Sequence, residues 1–246
     1  MTRESDVVRS LVEMADTLVE DYDVVDLLTR LADRCVSLLG VSAAGVMLAS
    51  PAGRLGLVAS SSEAMRLLEV FELQAQEGPC LDAFRTGARI EHEYLQAGSG
   101  RWPSVSAAAL EAGFRSATAL PLRLREVTLG ALNLLSVTNT PLDEADLIVA
   151  RAFADLAALS IVQHRVSAEA QRLNEQLSSA LTSRVMIEQA KGVISERAGT
   201  SLAEAFARLR AYARNNNLRL TDVAPAALDG TRDPVPGTTP LPIHRD

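Results

Sequence analysis

Apolar residues recur at helical spacing from the start of the chain: Val8, Leu11, Val12, Ala15, Leu18 and Val19, then Val24, Leu27, Leu28, Leu31, Cys35, Leu38 and Leu39. Steps of three and four set each group on one side of a 3.6-residue helix, so two amphipathic helices are predicted. Cys35 lies on the apolar stripe of the second and is read as core, and Gly40 is its stop signal. The pattern then changes. VSAAGVMLAS (41–50), LGLVASS (55–61), RSATALPL (115–122) and VTLGALNLLSV (127–137) are short apolar runs bounded by turn residues, and they predict strands. Between the second and third runs fall a helix over Glu63–Glu72, the segment EGPCLDAFRTG (77–87) and a loop carrying RWPSV (101–105). This order describes an α+β domain, an antiparallel sheet with flanking helices. On this reading helices cover one face of the sheet and the other is free to build a pocket from loops.

From Asp143 to about Ala198 the helical pattern continues without a proline. Val166, Ala170, Leu173, Leu177 and Ala180 repeat at steps of four, three, four and three, the seam of a coiled coil. That seam predicts a homodimer; the alternative is one amphipathic helix packing on its own domain. Beyond it, Ile187, Ala190, Ile194 and Ala198 form an apolar face, with Arg184, Glu188, Lys191 and Ser195 on a polar one. Gly199 stops the helix, and SLAE (201–204) is a capping box that opens another. In that helix Leu202, Phe206, Leu209 and Ala213 are expected to point inward, and Arg210 and Arg214 to project together. A third short helix is expected around Thr221–Leu228. The Pro-rich end, DGTRDPVPGTTPLPIHRD (229–246), predicts a disordered tail. The domain limits that follow are an N-terminal helix over 1–23, an α+β domain over 24–165, a linker helix over 166–182, a three-helix bundle over 183–228 and the tail.

The net charge of −7 gives no whole-chain reason to expect nucleic acid, but the charge is unevenly spread. Between Ser183 and Leu228 seven basic residues stand against four acidic ones, +3 for the bundle and −10 for the rest. Such asymmetry points to a polyanion-binding part on an acidic body. Lys191 is the single lysine in the chain, beside Gly192 in mid-helix. A helical glycine costs about 1 kcal/mol relative to alanine, which suggests that something approaches the backbone there. Cys35 and Cys80 form no disulfide framework, and no Cys/His cluster has metal-ligand spacing. No apolar run is long enough for a membrane helix, and the amino terminus lacks a signal-peptide layout, so a cytoplasmic protein without membrane contact is expected. P-loop, dinucleotide-binding and nucleophile-elbow motifs are missing, and His164 has no accompanying kinase motifs, so no enzyme is expected.

EQAKGVISERAG, EAFARLR and NLRLTDVA together resemble the ANTAR domain, a three-helix RNA-binding module of transcription antitermination regulators, over roughly 183–228. The resemblance implies dimers that hold paired stem-loops in nascent RNA. It makes Lys191, Arg210, Arg214 and Arg219 the candidates for phosphate and loop contacts, with Ala190 and Gly192 allowing close approach, and it places Phe206 and Leu209 in the core. Tyr212 is the aromatic available either to stack on a base or to pack in the bundle. Arg219 stands where the family commonly has lysine, and Pro225 interrupts its last helix.

EGPCLDAFRTG, RWPSV, FRSATALPL and LGALNLLS resemble the GAF domain, a small-molecule or redox sensor fold, in the combination found in actinobacterial GAF-plus-ANTAR proteins. The fold names no ligand or cofactor. Cys80 and Trp102 are the candidate sensor-pocket residues. Cys80 lies at a helix amino terminus, where a thiol's pKa is lowered, and the alternative is a small buried residue in a tight turn. The resulting expectation is a regulator in which a small-molecule or redox signal at the GAF domain controls RNA binding. The alternatives are a DNA-binding helix-turn-helix-like regulator and a sensor that acts through protein contacts only.

Overall fold

The computed structural model describes residues 3–16, 23–96, 100–231 and 234, so most of the predicted tail, and Leu18 and Val19, lie outside the described residues. The chain divides into two units, Met1–Val166 and Ser167–Asp246. In the first, helix α1 (Arg3–Asp16) is followed by α2 (Val24–Leu39). The Asp23 side chain accepts from Val25 N–H at 2.7 Å to start α2, and Gly40 ends it in the left-handed region, φ 66°. Strands β1 (Ala43–Ala49) and β2 (Leu55–Ser60) form a hairpin, and α3 (Glu63–Ala75) and α4 (Pro79–Thr86) follow. Next come β3 (Ile90–Tyr94), α5 (Pro103–Glu111), and β4 (Ser116–Leu124) with β5 (Val127–Ser136). The five strands pair antiparallel in the order β2-β1-β5-β4-β3.

Two expectations are corrected, and one strand is added. The sheet has no free face. Ala44, Val46, Leu120, Leu122, Leu132 and Leu134 meet α2 and the Phe153–Ile161 part of α6 (Glu144–Ala198). The alternate residues Ala43, Met47, Ala117, Ala119, Ala131 and Leu135 meet α3, α4 and α5. Strands buried on both faces read as continuous apolar runs, as β1, β4 and β5 do. Second, RWPSV is loop only at Arg101 and Trp102: Pro103 occupies the first turn of α5, where its missing N–H costs nothing. IEHEY, for which the sequence pattern named no element, is a strand. It sits at the sheet edge with a register shift between Ile90 and Glu93, and its glutamates blunt that edge.

The second unit contains the end of α6, α7 (Leu202–Asn215) and α8 (Leu220–Leu228). Ser201 and Glu204 form the capping box in full. The bundle closes on small side chains, with Ala190, Ile194, Ala205, Leu209, Ala213, Val223, Ala224 and Ala227 buried together. Leu202 was expected inside but is exposed, and Ala205 takes the inward position. Helix α8 runs on through Pro225 to Leu228. The bond that Pro225 cannot donate would have gone to Thr221, which is exposed and accessible to water. Among the described residues no helix is long and apolar enough to cross a membrane.

Candidate nucleic-acid interface

Within the second unit a groove of about 1230 Å³ is lined by Arg184, Glu188, Lys191, Phe206, Arg219 and Asp222, among others. Three elements supply it: α6 gives Arg184, Glu188 and Lys191, α7 gives Phe206, and the first turn of α8 gives the rest. Lys191 Nζ donates to Glu188 Oε2 at 2.7 Å, the i, i+3 pair that the spacing predicts. The same ammonium lies 5.3 Å from the centroid of the Phe206 ring, and the Arg210 guanidinium lies 5.7 Å from that centroid. An i, i+3 ion pair is worth about 0.2–0.5 kcal/mol, and a cation–π contact short of full desolvation about 0.5–1 kcal/mol. Neither contact ties Lys191 down against a phosphate.

The unit's ion pairs among described residues are Arg172 with Glu169 and Lys191 with Glu188. Among the described residues, Arg184, Arg208, Arg210, Arg214 and Arg219 meet no carboxylate within ion-pair distance. Unpaired guanidiniums favour phosphate recognition, because each presents a planar donor fork with no acid to displace. The amino-terminal turn of α8 adds the positive end of its helix dipole.

Of the residues singled out in sequence, the structure gathers Lys191, Arg210 and Arg219 around Phe206 and the groove. Arg214 lies one turn beyond Arg210 on α7 and does not line it. Ala190 is fully buried in the bundle core, so its side chain offers no contact surface. Gly192 is exposed, and a Cβ built there meets nothing within 4 Å. No intramolecular neighbour therefore requires this glycine. Phe206 departs from its expected core place: it is half-buried, outside the core cluster and between two cations. Tyr212 packs against that core instead.

On the first unit, Cys80 and Trp102 are both buried on the α3–α5 side of the sheet. Cys80 does stand at the start of α4, yet its thiol is pushed well above the ordinary range, by burial and then by the Glu72 and Glu69 carboxylates. Of the two readings of Cys80, the structure matches the small buried residue, because burial and two nearby acids outweigh the helix end. Glu72 was missed in sequence. Its Oε1 accepts from Cys80 N–H at 2.7 Å and Leu81 N–H at 3.1 Å, capping α4 from eight residues upstream. Its Oε2 accepts from Asn133 Nδ2 at 3.3 Å. Glu69, one turn earlier on α3, is buried over Gly45 with neither oxygen partnered. Trp102 Nε1–H donates to Asp82 at 2.9 Å, and Arg101 pairs with the same carboxylate while lying over the indole. Trp102 thus joins α5 to α4.

The family model for the GAF domain matches residues 21–162, more than half of the sequence. The chain belongs to the GAF domain family. A second family model, that of the ANTAR domain, matches residues 175–226, and the groove-lining residues from Glu175 to Asp222 all fall inside that span. Among solved structures, the chain is similar to the GAF domain of a Coxiella burnetii phosphoenolpyruvate-protein phosphotransferase. The two share 14% identity with a TM-score of 0.51, over 66% of this chain and 96% of that one. It is also similar to free methionine-R-sulfoxide reductase from Neisseria meningitidis, solved with its substrate, at 15% identity and a TM-score of 0.51, over 68% and 95% of the two chains. Identities this low show a shared fold alone. No curated protein matches the sequence. In the GAF domain the buried face holds Glu69, Glu72, Cys80 and Trp102; in the ANTAR domain the groove holds Lys191, Phe206 and Arg219. The signal that could have found Phe206 is its spacing, one turn from Arg210 on the basic side of α7.

Proposed function

We propose that the chain is a signal-responsive transcription antitermination regulator that binds paired RNA stem-loops through its ANTAR domain under control of its GAF domain. The observation that carries this reading is the ANTAR groove, where Lys191 and Arg210 lie over the Phe206 ring, Arg219 lines the same groove, and both arginines are unpaired among the described residues. The sensor region is taken as 24–165, the linker as 166–182 and the RNA-binding bundle as 183–228, in a cytoplasmic protein. Its signal is a small molecule rather than an oxidant, since Cys80 is buried with its thiol held protonated. Signal transfer is a population shift in which ligand favours one arrangement of the paired ANTAR domains.

Competition between stem-loop RNA and duplex DNA for the full-length protein tests the reading. RNA should displace DNA; preferential duplex binding would favour a helix-turn-helix regulator, and binding to neither at any salt would favour a sensor acting on proteins. Lys191→Ala, with helix content unchanged, should weaken RNA binding about tenfold. It should also reduce the magnitude of the salt slope by roughly 0.7–0.9, the share of one phosphate contact. An unchanged slope removes Lys191 from the interface.

Two copies pair through α6 in this proposal. Every residue from Ser167 to Thr182 is exposed, with Leu173 at 51% and Leu177 at 60%, which leaves the heptad stripe available to a second copy. The double variant Leu173→Lys, Leu177→Lys should sediment as a monomer. It should bind a two-hairpin RNA no better than a single hairpin, because linked sites lose their effective concentration. A dimer that survives both lysines excludes this seam.

A further inference from the structure

We propose that Phe206 is the floor of a subsite for one unstacked RNA base, and that Lys191 and Arg210 bind the phosphates flanking it. This inference rests on the RNA-binding reading of the ANTAR groove and adds what the groove recognises. Phe206 is a half-buried aromatic ring on a bundle whose buried core consists of alanine, leucine, isoleucine and valine side chains. Ile187 and Leu220 line the same groove, but the ring is outside the buried core cluster and keeps part of its face open to the groove. What surrounds it is charge: Lys191 from α6 and Arg210 from α7 both lie over the ring, at 5.3 and 5.7 Å. Those cations hold the ring face by weak contacts at the groove wall that a base can replace.

The exchange is favourable on both sides. Single-stranded nucleic acid is bound where an aromatic face takes the base and adjacent cations track the backbone. When a base stacks on Phe206, Lys191 leaves the ring and Glu188 for a phosphate oxygen, a charge-assisted bond stronger than either contact it gives up. Arg219 and the start of α8 border the same groove and favour a further phosphate. Gly192, one residue along from Lys191 and with open space where a Cβ would be, lets the ribose approach the helix backbone. A duplex cannot present a base face to a ring, so the subsite selects loops over helices.

The test uses full-length protein and a tandem-hairpin RNA with randomised loops, enriched on the wild-type protein and then synthesised with 2-aminopurine at each loop position in turn. One loop position should show quenched fluorescence on binding. Phe206→Leu, which keeps an apolar side chain of similar bulk, should abolish that quenching and weaken binding roughly ten- to a hundredfold while leaving the salt slope unchanged. Phe206→Tyr and Phe206→Trp should restore both signals. If Phe206→Leu binds as wild type, or lowers the salt slope together with the affinity, the ring is packing or a mere support for Lys191 and the base subsite is overturned. If no RNA is enriched, the RNA-binding reading itself fails, a result distinct from a Phe206 variant that binds normally.

Discussion

Replacing Glu72 with glutamine is expected to stabilise the GAF domain at pH 8 and to flatten its dependence on pH. Glu72 is buried between α3, the start of α4 and β5, and burial pushes its carboxyl up to about 8, although the N–H groups of Leu81 and Cys80 pull the other way. The groups facing it are all acidic or neutral: Glu69 on α3, Cys80 and Asp82 on α4, and Asn133 on β5. The sign follows from proton counting. Between about 4.5 and about 8 the folded state keeps a proton on Glu72 that the unfolded chain has released. Stability therefore falls as pH rises through that window, and Glu69, raised in the same direction by burial, adds to the fall. The loss from Glu72 alone is on the order of 5 kcal/mol across the window. Glutamine never ionises, and its amide oxygen still accepts from Cys80 and Leu81. Urea unfolding followed by Trp102 fluorescence at pH 5, 6.5 and 8 checks this, since the indole reports the α4–α5 contact. An unchanged pH slope in Glu72→Gln would mean that the carboxylate is solvated and the cap is open.

Gly130→Ala is expected to destabilise the GAF domain by about 3 kcal/mol or more, at the upper end of overpacking costs. Gly130 lies on β5 opposite Leu48 on β1 and Leu122 on β4, so it is flanked on both sides. A Cβ there would stand 2.1 Å from the backbone carbonyl oxygen of Met47. A side-chain end could swing aside, but a backbone oxygen moves only if the β1–β5 ladder opens. The same change at Gly192 meets nothing and should add about 1 kcal/mol of helix stability. Thermal unfolding of the two variants, with far-UV and Trp102 signals recorded together, separates the cases. Equal midpoints would show that the sheet yields at Gly130.

These two residues mark the limit of what sequence makes legible. Neither Gly130 nor Glu72 stands out in a one-dimensional pattern: one is a small residue in an apolar run, the other a polar residue on an amphipathic helix. Their importance comes from Met47 on another strand and from Cys80 and Asn133, which chain folding brings within bonding distance. The bundle shows the same limit at finer grain. Helical spacing correctly gave α7 one apolar stripe, but the stripe was set on Leu202 and Phe206 rather than on Ala205. Three closely packed helices need small side chains at their contact, so Ala190, Ala205 and Ala213 turned inward and the bulkier Phe206 turned to the groove.

The sequence by itself determined the local structure. It placed the stop at Gly40, the Ser201–Glu204 capping box, four of the five strands and the proline-free length of α6. Each of these is a backbone preference or a bond between neighbours, settled within a few residues. It also determined, through the spaced ANTAR and GAF motifs, which families to look for. Only the tertiary structure decided that the second face of the sheet is closed, that Cys80 is buried beside two acids and that Phe206 faces two cations. Burial and proton affinity depend on groups that may be 61 residues apart, as Glu72 and Asn133 are. Periodicity records the spacing of apolar residues; which of them turns inward is set by the shape of the neighbour it must fit.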